Sequence, residues 1–224
     1  MYYGANTDIN KSLDEKLDIL FDHKTNGIYV ELGAFDGIEQ SNTKFFEDTR
    51  NWSGILIEPS TRKYELCLKN RPKSLCYNYA CVNESDISYL IGDWGNIMSS
   101  ANGKRNKKKY NPLTQIAAKT LENILDNSIE HFKTNFDKNL ETDIDFISID
   151  TEGYEYNVLC GLNLLKYKPK YLLIEIYIID YDKIINYLKQ YNYTLHSNFS
   201  NYNLDNNKRW DGTHNDYLFK YNSS

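Results

Sequence analysis

Apolar residues along this chain follow two patterns, one typical of strands and one typical of helices. Short β-prone runs predict strands at residues 28–32, 55–57, 76–82, 144–150, 171–178, 193–199 and 215–221. Apolar positions three or four residues apart predict helices at residues 13–21, 42–50, 121–132, 158–165 and 184–188. Ser12-x-x-Glu15 has the form of a capping box, which predicts the start of the first helix.

This order of elements predicts an α/β fold. Strands that alternate with helices form a mainly parallel sheet with helices on both faces. The last two strands have no clear helix between them, so we expect a closing hairpin that makes one strand antiparallel. A chain of 224 residues is long enough for one domain, 1–224, which begins with an N-terminal helix region at 1–27.

The stretch at residues 92–112 has no periodicity, and we expect a mobile surface loop there. Loops of this length in compact domains are often functional lids. The stretch contains a basic run, "KRNKKK" at 104–109, which has two interpretations. It is either a solvated charge run or a segment near the mouth of a site that attracts anionic substrates.

Composition and charge narrow the class of protein. The chain is 41% hydrophobic and 25% charged, as in soluble globular domains, and its net charge of -5 argues against nucleic acid as the main partner. No apolar run reaches the roughly 20 residues of a membrane helix, and the first residues do not resemble a secretory signal. The cysteines form no CxxC pair, so we expect reduced thiols and a cytoplasmic location. They are Cys67, Cys76, Cys81 and Cys160.

The first strand ends in a glycine turn, "ELGAFDG" at residues 31–37, with the pattern E-x-G-x-x-x-G. A dinucleotide turn has the pattern G-x-G-x-x-G and receives a pyrophosphate, which the carboxylates of Glu31 and Asp36 disfavour. These acids favour a ligand with an amino group and a positive centre. In the alternative interpretation, Gly33 and Gly37 are ordinary turn residues and Glu31 is a surface carboxylate.

The second strand ends in Glu58, which is followed by Pro59. An acidic residue at this place can accept hydrogen bonds from both hydroxyls of a ribose. Ribose recognition fits NAD or S-adenosylmethionine. The acidic first turn favours S-adenosylmethionine, which has a sulfonium cation and an amino-acid tail.

A second group of acids follows the fourth and fifth strands. Asp150 ends the fourth strand, Glu152 and Glu155 follow it, and Glu175 lies near the end of the fifth. The group has three interpretations: a general base for an acceptor hydroxyl, a divalent cation site built on Asp150 and Glu175, or caps for the next helix. His214 is an alternative base. Aromatic residues suited to a sugar face, or simply to the core, are Tyr154, Tyr177, Trp94 and Trp210.

The motifs of this chain resemble those of the FkbM-type S-adenosylmethionine-dependent methyltransferases. The resembling segments are "ELGAFDGIEQSNTKFFE", "GILIEP", "NRP", "ACV", "TLENIL", "DFISIDTEGYEYNVL" and "NDYLFKY", in that order. The resemblance covers residues 28–221, and "IDTEGYE" is its most specific part. Thr151 stands where the family often has Val, and the 104–109 run is not part of the family pattern.

The resemblance implies a class I methyltransferase (Rossmann-like) fold with a seven-stranded sheet, and O-methylation of a sugar hydroxyl or related compound. It implies that Glu58 holds the ribose of the donor and that Asp150 lies under the reacting centre. The residues implied to line the methionine part of the donor are Glu31, Gly33, Ala34, Asp36, Gly37 and Asn42. Cys81 and Val82 are implied to border the adenine.

Three functional hypotheses follow. The first is an O-methyltransferase that acts on a small-molecule or glycan acceptor, with catalytic candidates Asp150, Glu152 and His214. The second is a protein that binds or modifies RNA through the basic run at 104–109, in which case binding should weaken strongly with salt. The third is a binding module that keeps the fold but lacks turnover.

Overall fold

The structure is a computed structural model that describes residues 1–7, 11–92, 94, 113–205, 208 and 210–223. Apart from Gly92 and Trp94, the loop predicted at 92–112 lies outside the described residues, as does its basic run at 104–109.

The described chain alternates strands and helices, as the apolar pattern predicts. The strands are β1 Ile28–Leu32, β2 Ser53–Ile57, β3 Leu75–Tyr77, β4 Ala80–Val82, β5 Tyr89–Gly92, β6 Thr114–Thr120, β7 Phe146–Ile149, β8 Tyr171–Tyr177, β9 Tyr193–Asn198 and β10 His214–Tyr221. The helices are α1 Leu13–Leu20, α2 Lys44–Thr49, α3 Thr61–Asn70, α4 Leu121–Phe136, α5 Leu140–Asp143, α6 Glu155–Cys160 and α7 Tyr181–Lys189.

Seven strands form the main sheet, in the order β3-β2-β1-β7-β8-β10-β9. Neighbouring strands from β3 to β8 are parallel, and β10 runs antiparallel to both β8 and β9. The predicted mainly parallel sheet with one antiparallel strand is therefore confirmed. A second sheet of three strands, β4-β6-β5, was not predicted.

The main sheet is covered on both faces because its strands are apolar on both sides. Ile28 and Val30 of β1 pack into the larger core with α4, α6 and α7. Tyr29 of the same strand points to the opposite face, where it shares a core with Leu17 of α1 and Phe46 of α2. Alternation along each strand therefore places successive side chains in two different cores.

Two local predictions are confirmed only in part. The strand predicted at 76–82 is divided, with β3 in the main sheet and β4 in the small sheet. Between them, the side-chain amide of Asn78 donates to the carbonyls of Glu58 and Pro59, which ties this bend to the end of β2. The first helix starts after Ser12, as the capping-box pattern predicts, but the capping hydrogen bonds are absent because the hydroxyl of Ser12 donates to Asp14, while Glu15 pairs with Lys11.

No described helix has both the length and the apolar character needed to cross a membrane. The four cysteines are free thiols, and Cys67 and Cys81 are buried.

Candidate active site

A cleft opens at the carboxyl ends of β1, β2 and β7, and residues of the small sheet also line it. In open α/β sheets, ligands bind at this edge. The cleft has about 830 Å³ of empty space, a figure that includes open solvent. Its lining comprises Leu32, Gly33, Phe35, Glu39, Gln40, Ile57, Glu58, Pro59, Tyr79, Ala80, Cys81, Leu90, Trp94, Asp150, Thr151, Glu152 and Tyr154.

The turn after β1 brings the backbones of β1 and β7 together. Gly33 has a φ of +76°, and a Cβ at this position would lie 1.9 Å from the carbonyl oxygen of Asp150. The N–H groups of Gly33 and Ala34 donate to the carbonyl of Ile57, at 3.1 and 3.3 Å. Only glycine fits at position 33, and this close approach sets the distance between the turn and the end of β7.

Glu58 presents a fixed carboxylate to the cleft. It is only 7% exposed, and its two oxygens accept the N–H groups of Phe35 and Ser60 at 2.8 and 2.7 Å. Each carboxylate oxygen has two acceptor positions, so each keeps one for a ligand hydroxyl. Burial raises the pKa of Glu58 to about 7, although the two N–H donors act in the opposite direction.

The carboxylate of Glu31 is engaged within the protein. It accepts the hydroxyl groups of Ser41 and Thr43 at 2.8 and 2.6 Å, and the N–H of Asn42 at 2.7 Å. The buried guanidinium of Arg71 lies 3.6 Å away. Glu31 therefore orders the segment after the glycine turn, and it is not among the described residues that line the cleft.

Asp36 and Asn42 also lie outside the described lining of the cleft. Asp36 closes the turn, since its Oδ1 accepts the N–H groups of Ile38 and Glu39 at 2.9 and 2.8 Å. Asn42 is buried, and its Nδ2 donates to the hydroxyl of Ser148 at 3.1 Å.

The side of the cleft formed by the small sheet is mainly apolar. It consists of Tyr79, Ala80, Cys81, Leu90 and Trp94. The indole of Trp94 is held by a 3.1 Å hydrogen bond from Nε1 to the carbonyl of Thr114. Val82 is fully buried and packs with Ala80 and Trp94 in the core of the small sheet.

Three carboxylates meet at the ends of β7 and β8. Ile149 pairs with Ile174, so the following residues, Asp150 and Glu175, are neighbours across the two strands. Glu155 begins α6, and one oxygen from each acid lies within 4.8 Å of the other two. The N–H groups of Thr151 and Gly153 donate to Glu155 at 2.9 and 3.0 Å, and Thr151 also donates its hydroxyl.

Glu175 is strongly perturbed. Burial, together with the charges of Asp150 and Glu152, raises its pKa well above the usual range. Its Oε1 lies 3.4 Å from Nε2 of His214, and its Oε2 has no hydrogen-bond partner within the described chain. Asp216 on β10 lies opposite Glu175 in the antiparallel pairing of β10 with β8. Burial raises the pKa of Asp216 to about 6.

Glu152 lines the cleft, and its charge also raises the pKa of Glu175. Glu152 has a φ of +55°, which is uncommon for a residue with a side chain, and it accepts the hydroxyl of Tyr177 at 3.0 Å. The ring of Tyr177 packs 5.2 Å from that of His214. Strained backbone of this kind is concentrated at functional sites.

The structure brings only part of the predicted site together at the cleft. Gly33, Glu58, Pro59, Cys81, Asp150 and Glu152 line it. Within the described part of the chain, the predicted residues away from the lining are Glu31, Ala34, Asp36, Gly37, Asn42, Val82, Glu175 and His214. The sequence reasoning missed Phe35 and Tyr79, whose positions depend on the turn conformation and on the division of the third predicted strand.

A seven-stranded sheet in this order, with its ligand cleft beyond β1, β2 and β7, defines a class I methyltransferase fold. The chain belongs to the family of the methyltransferase FkbM domain, whose model matches residues 31–195.

Several solved structures are similar to this chain, including two methyltransferases. One is a TehB-like SAM-dependent methyltransferase from Corynebacterium glutamicum, with 8% identity, a TM-score of 0.47, and coverage of 95% of this chain and 90% of that one. The other is a precorrin-6y C5,15-methyltransferase from Geobacter metallireducens, with 8% identity, a TM-score of 0.46, and coverage of 97% and 94%. No curated protein matches the sequence significantly.

Proposed function

We propose that this protein transfers a methyl group from S-adenosylmethionine to a hydroxyl group of a sugar, glycan or nucleotide sugar. The main support is Glu58, a buried carboxylate that is fixed by two backbone N–H groups and faces the cleft. The family and the fold supply the reaction class. The four free thiols support a reducing, cytoplasmic setting.

The residues of the cleft fit the donor. The free acceptor positions of Glu58 suit the two ribose hydroxyls. The apolar side formed by Tyr79, Cys81 and Trp94 suits a flat adenine ring. At the other end, the exposed carboxylate of Asp150 favours a nearby positive sulfonium.

The donor supplies an activated methyl group, so the protein has two tasks at the acceptor. It must hold the hydroxyl in line with the carbon–sulfur bond, and it must take the proton. As the new C–O bond forms and the C–S bond breaks, the hydroxyl proton passes to a base and a neutral thioether leaves. The base candidates are Asp150 and Glu152, which line the cleft, and His214, which pairs with Glu175.

Calorimetry with S-adenosylmethionine and S-adenosylhomocysteine tests the donor site. We expect both to bind, and we expect Glu58→Ala to weaken binding at least tenfold because two hydrogen bonds to a charged acceptor are lost. Glu65→Ala, an exposed acid on α3, is the control and should bind normally. Absence of binding, or equal affinity in the two variants, would overturn the donor assignment.

Transfer of labelled methyl to a panel of sugars, nucleotide sugars and glycans tests the acceptor class. Asp150→Asn, Glu152→Gln and His214→Gln should show which group is the base, by a loss of kcat of about 10²-fold or more with unchanged affinity for S-adenosylhomocysteine, which lacks the sulfonium charge. Turnover would exclude a binding module. Labelling of RNA, but of no hydroxyl compound in the panel, would instead support the RNA hypothesis, which rests on the sequence of the 104–109 run.

A further inference from the structure

The acid group beside the cleft has a geometry that calls for a bound cation. Asp150, Glu155 and Glu175 each place a carboxylate oxygen within 4.8 Å of the other two. Glu155 and Glu175 are buried, at 2% and 8% exposure, while Asp150 is exposed and lines the cleft. Carboxylates this close repel one another strongly in a low-dielectric setting unless one of them is protonated or a positive charge lies between them.

A second observation points to a ligand among these acids. Oε2 of Glu175 is buried and has no hydrogen-bond partner in the part of the chain that the structure describes. Buried polar atoms are nearly always satisfied, and an exception calls for an unplaced water or ion. The salt bridge of Glu175 is made by Oε1 to His214, an imidazole that is charged only when protonated.

The three oxygens are spaced for a hard divalent cation. Calcium binds oxygen at about 2.3–2.6 Å, so two ligands on opposite sides of the ion are up to about 5 Å apart. Magnesium binds oxygen at about 2.0–2.1 Å, so two ligand oxygens would have to lie at most about 4.2 Å apart. The observed limit of 4.8 Å lies inside the first range and within a small side-chain movement of the second.

The contacts around the three acids favour a specific cation site over a chance cluster of carboxylates. The carboxylate of Glu155 is held by N–H groups of Thr151 and Gly153, and such supporting bonds orient metal ligands. Asp150 directly follows β7, and Glu175 lies on the neighbouring strand β8. Asp150 also faces the cleft, so an ion here would have open positions towards a ligand in the cleft.

We propose that Asp150, Glu155 and Glu175 bind a divalent cation of the hard, oxygen-preferring class, such as Mg²⁺, Mn²⁺ or Ca²⁺. The role of this ion rests on the proposed function: held next to the cleft by Asp150, it binds the acceptor hydroxyl and lowers its pKa. A proton can then leave that hydroxyl for a weak base such as a carboxylate.

The test is cation binding to the full chain after chelation, measured by calorimetry with MgCl₂, MnCl₂ and CaCl₂ and by Mn²⁺ electron paramagnetic resonance. We expect one ion per chain. We expect Glu175→Gln and Asp150→Asn each to weaken binding at least tenfold, while Glu130→Gln, an exposed acid on α4, binds normally. Because Asp150 is exposed, Asp150→Asn should fold normally, so it tests the site even if the buried change Glu175→Gln prevents folding.

Failure of this proposal can be told from failure of the proposed function. No binding of any of the three ions, or binding that survives both variants, overturns the cation site and leaves donor binding and methyl transfer as separate measurements. Conversely, an ion that binds as described in a chain that transfers no methyl group keeps the site and rejects its role. Full activity after chelation also removes the role in the reaction.

Discussion

At the scale of single residues, the sequence predicts those parts of the site that depend only on strand ends. Glu58 and Asp150 follow directly after β2 and β7, and both line the cleft. Glu31 lies next to the last residue of β1, yet its carboxylate accepts hydrogen bonds from Ser41 and Thr43. Which acids face a ligand depends on their hydrogen-bond partners, and these come from segments whose positions the sequence pattern does not specify.

The raised pKa of Glu58 predicts a pH-dependent affinity. Burial raises this pKa to about 7, so the carboxylate is protonated as the pH falls from 8 to 6, and a protonated acid is a poorer acceptor for ribose hydroxyls. We expect the affinity for adenosine, which does not titrate in this window, to fall about tenfold over these two pH units. Glu58→Gln should bind weakly with no such slope, and a wild-type affinity that is independent of pH would contradict the assignment.

Gly33 offers a test of the close approach between the turn and β7. In Gly33→Ala the new Cβ would meet the carbonyl oxygen of Asp150, whereas in Gly212→Ala, with a similar φ of +80°, nothing lies within 4 Å. Urea unfolding should show that Gly212→Ala lowers the free energy of unfolding by about 1 kcal/mol, from backbone strain alone. For position 33 we expect a loss of at least about 3 kcal/mol. Equal losses would mean that the turn can move away from Asp150.

At the scale of elements, the apolar pattern of the sequence predicts the long apolar strands and α4. The elements that it does not predict have few buried apolar residues. Helix α3 is polar overall and buries only Cys67, so few apolar residues mark it in the sequence. Strand β6 is largely exposed and contains mixed residue types. The split between β3 and β4 depends on the side chain of Asn78, which bonds to the end of another strand. Such long-range contacts cannot be inferred from local periodicity.

Arg71, which follows α3, connects that helix to β1 and α2. It is fully buried, and its guanidinium donates to Glu47 at 2.9 Å and to Tyr29 at 2.7 Å. Arg71→Met would remove the fully buried cation next to Glu47 and Glu31, so we expect the free energy of unfolding, measured in urea, to fall by about 3–5 kcal/mol. Lys11→Met breaks the partly exposed pair with Glu15 and should cost less than about 1 kcal/mol. Similar losses of unfolding free energy in the two variants would show that Arg71 does not stabilise the contacts between α3, β1 and α2.

At the scale of the whole molecule, the cleft joins two sheets that the chain builds separately. The main sheet contributes Gly33 and Glu58, and the small sheet contributes Ala80, Cys81 and Leu90. The sequence predicts the first sheet but not the second, so it predicts the polar half of the cleft and leaves out most of the apolar half. A ligand that fills the cleft contacts both sheets and should therefore couple them.

Hydrogen exchange measures this coupling directly. With S-adenosylhomocysteine at about 100 times its Kd, amides of the turn at 33–37 and of strands β4 and β5 should exchange up to about 100-fold more slowly, because opening requires loss of the ligand. The exposed edge strand β9 is the internal control, since its amides exchange by local fraying and lie outside the cleft. Protection of the turn alone would show that the small sheet is no part of the donor site. If the amides of β9 also exchange equally more slowly, the ligand stabilises the fold in general. Slower exchange of the turn, β4 and β5, with unchanged exchange of β9, supports a ligand that contacts both sheets.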